Sequence, residues 1–411
     1  MTGPQVVIVG AGHAGIQVAL SLREVGHSAP ITVLGRENHT PYERPPLSKA
    51  WLKDPAPLEE LWFRNPSIYG DLDIDLRTGV EVEAINRRTL TVSTEQGDLP
   101  YDHLVLATGS SPRQLPIPGT ELAGVHSLHT LEDAQSLVAN LGPAEHIVVI
   151  GGGFIGLEVA AAARAKGKQV QVIEAGNRVM QRAVTPEVSG FFSSQHQDAG
   201  IRLTVNSFVT AILGTHGQVH GVRLADGDTL RADLVVMGVG VTPNIALAEV
   251  AGIDCDDGVT VSDVMLTSDP HVSAVGDCAN FPLPDGRRIR LESVQNAAGQ
   301  ARTVANRLTG SPSAYQEVPW FWSEQHGYKL QMAGLTGQAD TRLVLGDPDG
   351  GKFTVLCWQA GVFVGGESVN RSADHIALRR LLASGRGPTQ SEAAEPDFDL
   401  KTYARLVTAK V

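Results

Sequence analysis

The chain has 411 residues, 42% hydrophobic and 19% charged, with a formal net charge of −12. That length accommodates two or three domains with cores of their own, and that balance excludes a disordered chain. The excess of acid argues against nucleic acid as a partner, and the lack of any apolar run of about 18 residues argues against a transmembrane helix.

In chain order, "QVVIVGAGHAGIQVALSLREVG" joins a short apolar run to glycines and then to a helical period in Ile16, Ala19, Leu20 and Arg23. "ITVLGRE" is the next strand. The buried strand of "YDHLVLATGSSPRQLPIPG" ends at Ala107, Thr108 and Gly109, before a proline-rich crossover. The first plan then recurs at "HIVVIGGGFIGLEVAAAARAKGKQVQVIEAG". "DLVVMGVGVTPN" is a matching strand with a glycine and proline exit, and "SDPHVSAVGDCANF" gives another that ends on Gly276 and Asp277. Apolar runs alternating with helices predict α/β architecture with parallel sheets buried on both faces.

From about Pro319 the texture changes. "YKLQMAGL", "RLVLG", "FTVLCWQ" and "VFVGGESV" read as strands of a small antiparallel sheet, followed by a helix from about Ala373 to Ala383. "GRGPTQSEAAEPDFD" reads as an irregular polar connector. The expected layout is therefore two Rossmann-like dinucleotide-binding domains and a C-terminal α+β domain.

The first fingerprint is Gly10, Gly12 and Gly15. One glycine permits the tight turn, one lets backbone approach a pyrophosphate, and one lets helix and strand close up. Gly35 stands where a strand-end acid often falls, so Arg36 or Glu37 must serve the ribose. The second fingerprint is Gly151, Gly153 and Gly156, with Glu174 closing its second strand. A carboxylate there accepts from both ribose hydroxyls and repels a 2′-phosphate, which predicts NADH over NADPH. Two such sites in one chain suggest a hydride passed from a nicotinamide to a flavin. The N-terminal site is the expected place for non-covalent FAD, the inserted one for NADH.

These segments, with "RPPLSKAWL", "TLEDA", "RLESVQNA" and "PWFWSEQ", make nearly the whole chain resemble the FAD-dependent NADH:ferredoxin reductases of bacterial oxygenase systems. The resemblance implies a glutathione-reductase-type fold. Its FAD domain would comprise residues 1–110 and 245–318, its NADH domain residues 111–244, and its C-terminal domain residues 319–411. It also implies that Lys49 lies beside the flavin ring and pairs with Glu158. A cation there stabilises the negative charge of the reduced flavin. By the same resemblance the FAD contacts are Gly10, Gly12, Ala14, Gly15, Arg36, Glu37, Arg44, Lys49, Val82, Ala107, Thr108, Gly109, His129, Gly276, Asp277 and Val294, with Trp320 or Trp322 covering the ring. His129 stands where the family often has Arg. The NADH contacts are Gly151, Gly153, Phe154, Ile155, Gly156, Glu158, Glu174 and Gly240.

The family lacks a redox disulfide, and this chain matches it. Cys255, Cys278 and Cys357 form no CxxC pair, and Cys278 reads as a small buried hydrophobe. His196 is isolated, and no metal is expected. Electrons must then leave the flavin directly, and the expected acceptor is a [2Fe–2S] ferredoxin serving an oxygenase. A rubredoxin acceptor, or a slow-turnover flavoprotein of the apoptosis-inducing type, is the alternative. Arg287, Arg288, Arg290, Arg302 and Arg307 form a local basic zone in an acidic chain and are the expected docking cations. The unpaired thiols, and the direct entry of "MTGPQ" into a strand, point to the cytoplasm.

Overall fold

The computed structural model describes residues 3–408. Its chain divides into two compact units. The first comprises Met1–Glu43, Pro57–Ser111 and Val241–Glu317; the second comprises Arg44–Ala56, Pro112–Gly240 and Val318–Val411.

The first unit is built on a five-stranded parallel sheet in the order Val272–Ala274, His103–Leu106, Val6–Val9, Ile31–Gly35 and Ile74–Thr78. Every residue of Val6–Val9 is buried, because both faces of this strand are covered. Its register sets Val6 opposite Ile31 on one side and His103 on the other. The helix His13–Glu24 buries Ile16, Val18, Ala19 and Leu22 into the same core. Each fully buried aliphatic side chain is worth about 1.5–3 kcal/mol. A meander, Val82–Asn86, Thr91–Thr94 and Gly97–Pro100, stands apart from this sheet.

The second unit repeats the plan. Its parallel sheet runs Arg202–Thr204, Gln169–Ile173, His146–Ile150, Leu234–Met237 and Val125–His126. It too has a meander, Val209–Thr215, Gln218–Leu224 and Thr229–Arg231. The duplication thus extends beyond the nucleotide folds to the small sheets, which alternate too weakly to be read from sequence.

The same unit holds the C-terminal antiparallel sheet, in the order Trp320–Gln325, Tyr328–Gly334, Val362–Val369, Lys352–Gln359 and Thr341–Asp347. The helix Ser372–Ser384 lies within a residue of its expected bounds at each end. Two features correct the reading of this region. "PWFWSEQ" supplies a fifth strand. The polar connector is not irregular throughout, because Thr389 and Glu392 form a reciprocal capping box that starts the short helix Gln390–Ala393. A further helix, Leu400–Thr408, buries Leu400 and Ala404. Among the described residues, no helix is long and apolar enough to cross a membrane.

Candidate dinucleotide and redox sites

In the first unit the turn after Val6–Val9 requires glycine. Gly10 has φ +113°, and a Cβ there would stand 2.1 Å from the Ala107 carbonyl oxygen. At Gly15 a Cβ would stand 1.9 Å from the Gly10 carbonyl oxygen. Ala14 meets the turn at Gly276, whose added Cβ would be 2.9 Å from the Ala14 Cβ. So Gly10, Ala14, Gly15, Ala107, Thr108 and Gly276 form one cradle at the carboxyl ends of three strands. Gly12 caps the helix with no side-chain bond, and nothing lies within 4 Å of the space its Cβ would fill. A helix start beside that open space fits a pyrophosphate.

Asp277 stands in the turn after Val272–Ala274 and accepts from the Ser110 hydroxyl at 3.0 Å. Gln300, fully buried on the helix that Val294 opens, accepts from the Gly276 amide at 2.7 Å and fixes this turn. Thr108 is clamped by Asn244: the Thr108 hydroxyl donates to the Asn244 carbonyl at 2.7 Å, and the Asn244 amide donates to the Thr108 carbonyl at 2.9 Å. Sequence reasoning quoted Asn244 only as the end of "GVGVTPN". Its reach of 136 residues back along the chain carries no local signal.

The strand-end acid is absent because the fingerprint loop occupies its space: a Cβ on Gly35 would stand 2.7 Å from the Ala11 Cβ. Glu37 instead accepts from the Tyr42 hydroxyl at 2.5 Å, while Arg36 is exposed and 3.9 Å from Glu81. Val82 is buried at the start of the meander. Cys278 is buried, which raises its thiol pKa and fits a packing role.

The second unit has an equivalent cradle. Gly151 has φ +104°, with its Cβ position 2.3 Å from the Gly238 carbonyl oxygen, and Gly156 closes on Gly151 at 2.2 Å. Glu174 accepts from the amides of Gly152 and Gly176, each at 2.6 Å. Both carboxylate oxygens are therefore fixed at the strand end. Gly153 caps the fingerprint helix with no side-chain bond. Phe154 contacts Phe321 with ring centroids 4.7 Å apart, and Ile155 is exposed at the helix start. Gly240 has φ +97°, and the Arg182 guanidinium is 3.2 Å from its Cβ position.

Lys49 and Glu158 meet in this unit. The Lys49 ammonium donates to Glu158 Oε2 at 2.8 Å, with the two side chains 18% and 2% exposed. Ser48 donates to the same oxygen at 2.5 Å and Ser323 to Oε1 at 2.6 Å. A buried carboxylate is costly unless it is bonded in this way. Sequence reasoning found the ion pair but neither serine. Arg44 donates to the His129 carbonyl at 2.7 Å, and the His129 amide bonds Asp133. Trp320 stacks at a tilt on Trp322, with the Arg379 guanidinium 4.8 Å over its ring. Its indole nitrogen is buried with no acceptor among the described residues.

The expected docking cations are not a uniform basic zone. Arg307 turns inward to the Ser273 hydroxyl and the Val264 carbonyl. Arg290 is 10% exposed between Asp257 and Glu292, and Arg288 donates to the carbonyls of Val261 and Asn280. Arg287 and Arg302 are exposed, each beside an acid, Asp285 and Glu317. Arg288, Arg290 and Arg307 are thus corrected to structural roles, because their guanidiniums bond backbone carbonyls inside the unit, Arg290 that of Asp277.

Duplicated glycine cradles, an acid fixed at the second strand end and a buried Lys–Glu pair define a pyridine-nucleotide oxidoreductase. The pyridine nucleotide-disulphide oxidoreductase family matches residues 4–301, and a reductase C-terminal domain matches residues 320–404. The chain belongs to that family, although its three cysteines are free. It is 46% identical to rhodocoxin reductase of Rhodococcus erythropolis over 398 residues, 96% of this chain and 93% of the relative. The ferredoxin reductase of the CYP199A2 system from Rhodopseudomonas palustris superposes with a TM-score of 0.95 at 46% identity, covering 97% and 99% of the two chains. A covalent putidaredoxin reductase–putidaredoxin complex also gives a TM-score of 0.95, at 36% identity and full coverage of both chains.

Proposed function

We propose that this chain is an FAD-dependent NADH:ferredoxin reductase that feeds electrons to an oxygenase in the cytoplasm. The observation that carries this reading is the buried Lys49–Glu158 ion pair in a chain with two glycine cradles and no vicinal thiols. FAD is assigned to the cradle of Gly10 and Asp277, and NADH to that of Gly151 and Glu174. Bound flavin supplies two-electron acceptance from nicotinamide and one-electron release. The protein's own part is orientation and charge. The Gly12 and Gly153 helix ends bind pyrophosphates with free amides. Asp277 accepts from a ribitol hydroxyl and Glu174 from a ribose. Lys49, held by Glu158, would supply the fixed cation that an anionic reduced ring calls for, and Trp320 would cover it. Arg287 and Arg302 are the docking cations left after the inward-turned arginines are removed, acting on association rate.

Anaerobic stopped-flow mixing tests this. NADH should bleach the flavin absorbance, and an oxidised [2Fe–2S] ferredoxin should restore it. Restoration by rubredoxin alone would reassign the acceptor. Long-lived reduced flavin with both proteins would move the chain to the slow-turnover class.

A further inference from the structure

Beyond the ion pair, the carboxylate of Glu158 ends a line of buried polar groups inside the second unit. Ser323 donates to Glu158 Oε1 at 2.6 Å, Gln325 Nε2 lies 3.0 Å from the Ser323 hydroxyl, and Gln325 Oε1 lies 2.9 Å from His196 Nε2. His196 Nδ1 is 3.1 Å from Nε2 of His326. Ser323, Gln325 and His196 are at most 1% exposed, whereas His326 is half-buried. Ser323 and Gln325 share a face because they are two apart on the strand Trp320–Gln325.

The direction of every bond follows from valence. An ionised carboxylate only accepts, so the single hydroxyl proton of Ser323 goes to Glu158. Gln325 must then donate to Ser323, which turns its oxygen to His196. His196 must donate from Nε2. Burial pushes its pKa down to about 4, so the ring is neutral and its Nδ1 is an acceptor. His326 must therefore donate from its own Nε2. The charged group facing Glu158 is Lys49; burial lowers the His326 pKa, and the charge of Lys53 lowers it further. All four bonds point the same way, and aligned bonds polarise one another. The amide at Gln325 interrupts proton hopping, so the line carries polarisation and not protons.

We propose that His326, His196, Gln325 and Ser323 form a one-directional donor chain that holds the Glu158 carboxylate in register for Lys49. Ser323 and Gln325 are thereby positioning residues for the redox site. This rests on the reading of Lys49–Glu158 as the pair that serves the flavin.

Two measurements on the holoprotein test it. Nitrogen-15 NMR of histidine-labelled protein should show both rings with the proton on Nε2, assigned with His196→Gln and His326→Gln. Flavin reduction by NADH is then followed against pH. Ser323→Ala removes a donor from Glu158 Oε1, so the acid limb of that profile should move to higher pH. Ser323→Thr, which keeps the hydroxyl, should restore it. In a Glu158→Gln background Ser323→Ala should move nothing. A His196 proton on Nδ1, no shift with Glu158 present, or a shift that survives Glu158→Gln each overturns the proposal. If Glu158→Gln leaves flavin reduction untouched while both rings carry Nε2–H, the flavin reading falls and the donor chain stands.

Discussion

The two glycine cradles are built alike up to the strand that follows each fingerprint helix, and there they part. In the second unit Glu174 closes that strand, with each oxygen tied to a backbone amide. In the first unit the same place is Gly35, covered by Ala11, and the nearest acid, Glu37, is occupied by Tyr42. Two matching glycine turns are thus followed by strand ends of different chemistry, a fixed carboxylate in one unit and bare backbone in the other.

The largest expected effect separates the two cradles outright. Gly10→Ala and Gly151→Ala each place a Cβ within about 2.3 Å of a carbonyl oxygen, on backbone that costs on the order of 1–3 kcal/mol for any other residue. Gly10→Ala should elute from gel filtration without flavin. Gly151→Ala should elute yellow, be reduced by dithionite and resist NADH. Flavin loss from both variants would mean that the cradles are not independent sites.

Next in size is the strand-end acid. Wild-type kcat/KM for NADH should exceed that for NADPH by at least about tenfold, about 1.4 kcal/mol. Glu174→Ser should narrow that gap, and equal wild-type efficiencies would remove the argument from Glu174. The smallest effect lies at the rim. Arg302→Glu should raise KM for ferredoxin and flatten its dependence on ionic strength, while ferricyanide reduction is unchanged. Equal loss of both reactions would trace the effect to folding or flavin.

How much of this was legible follows from how local each signal is. Gly10 and Gly151 announce themselves because only glycine tolerates their φ and their neighbours. Val6–Val9 and His146–Ile150 show as apolar runs because both their faces are buried. Lys49 and Glu158 were paired from resemblance, since 109 residues separate them. Ser323 and Gln325 were missed because their partners, Glu158 and His196, lie on two helices far away in sequence, and "WFWSEQ" was read for its aromatic residues instead of its alternation. Arg307 was misjudged because spacing on a helix does not reveal that a guanidinium has turned inward to Ser273.

The order of the units along the chain has a consequence for biosynthesis. The second unit's parallel sheet takes all its strands from the continuous stretch between Val125 and Met237. The first unit's sheet is not complete until Val272–Ala274 arrives to cover the edge of His103–Leu106. On the ribosome the earlier-made residues must therefore wait, with an unpaired strand edge open to solvent, while the inserted parallel sheet already has all its strands. A nonsense truncation just before Val272 would leave one parallel sheet with all its strands attached to another that is one strand short.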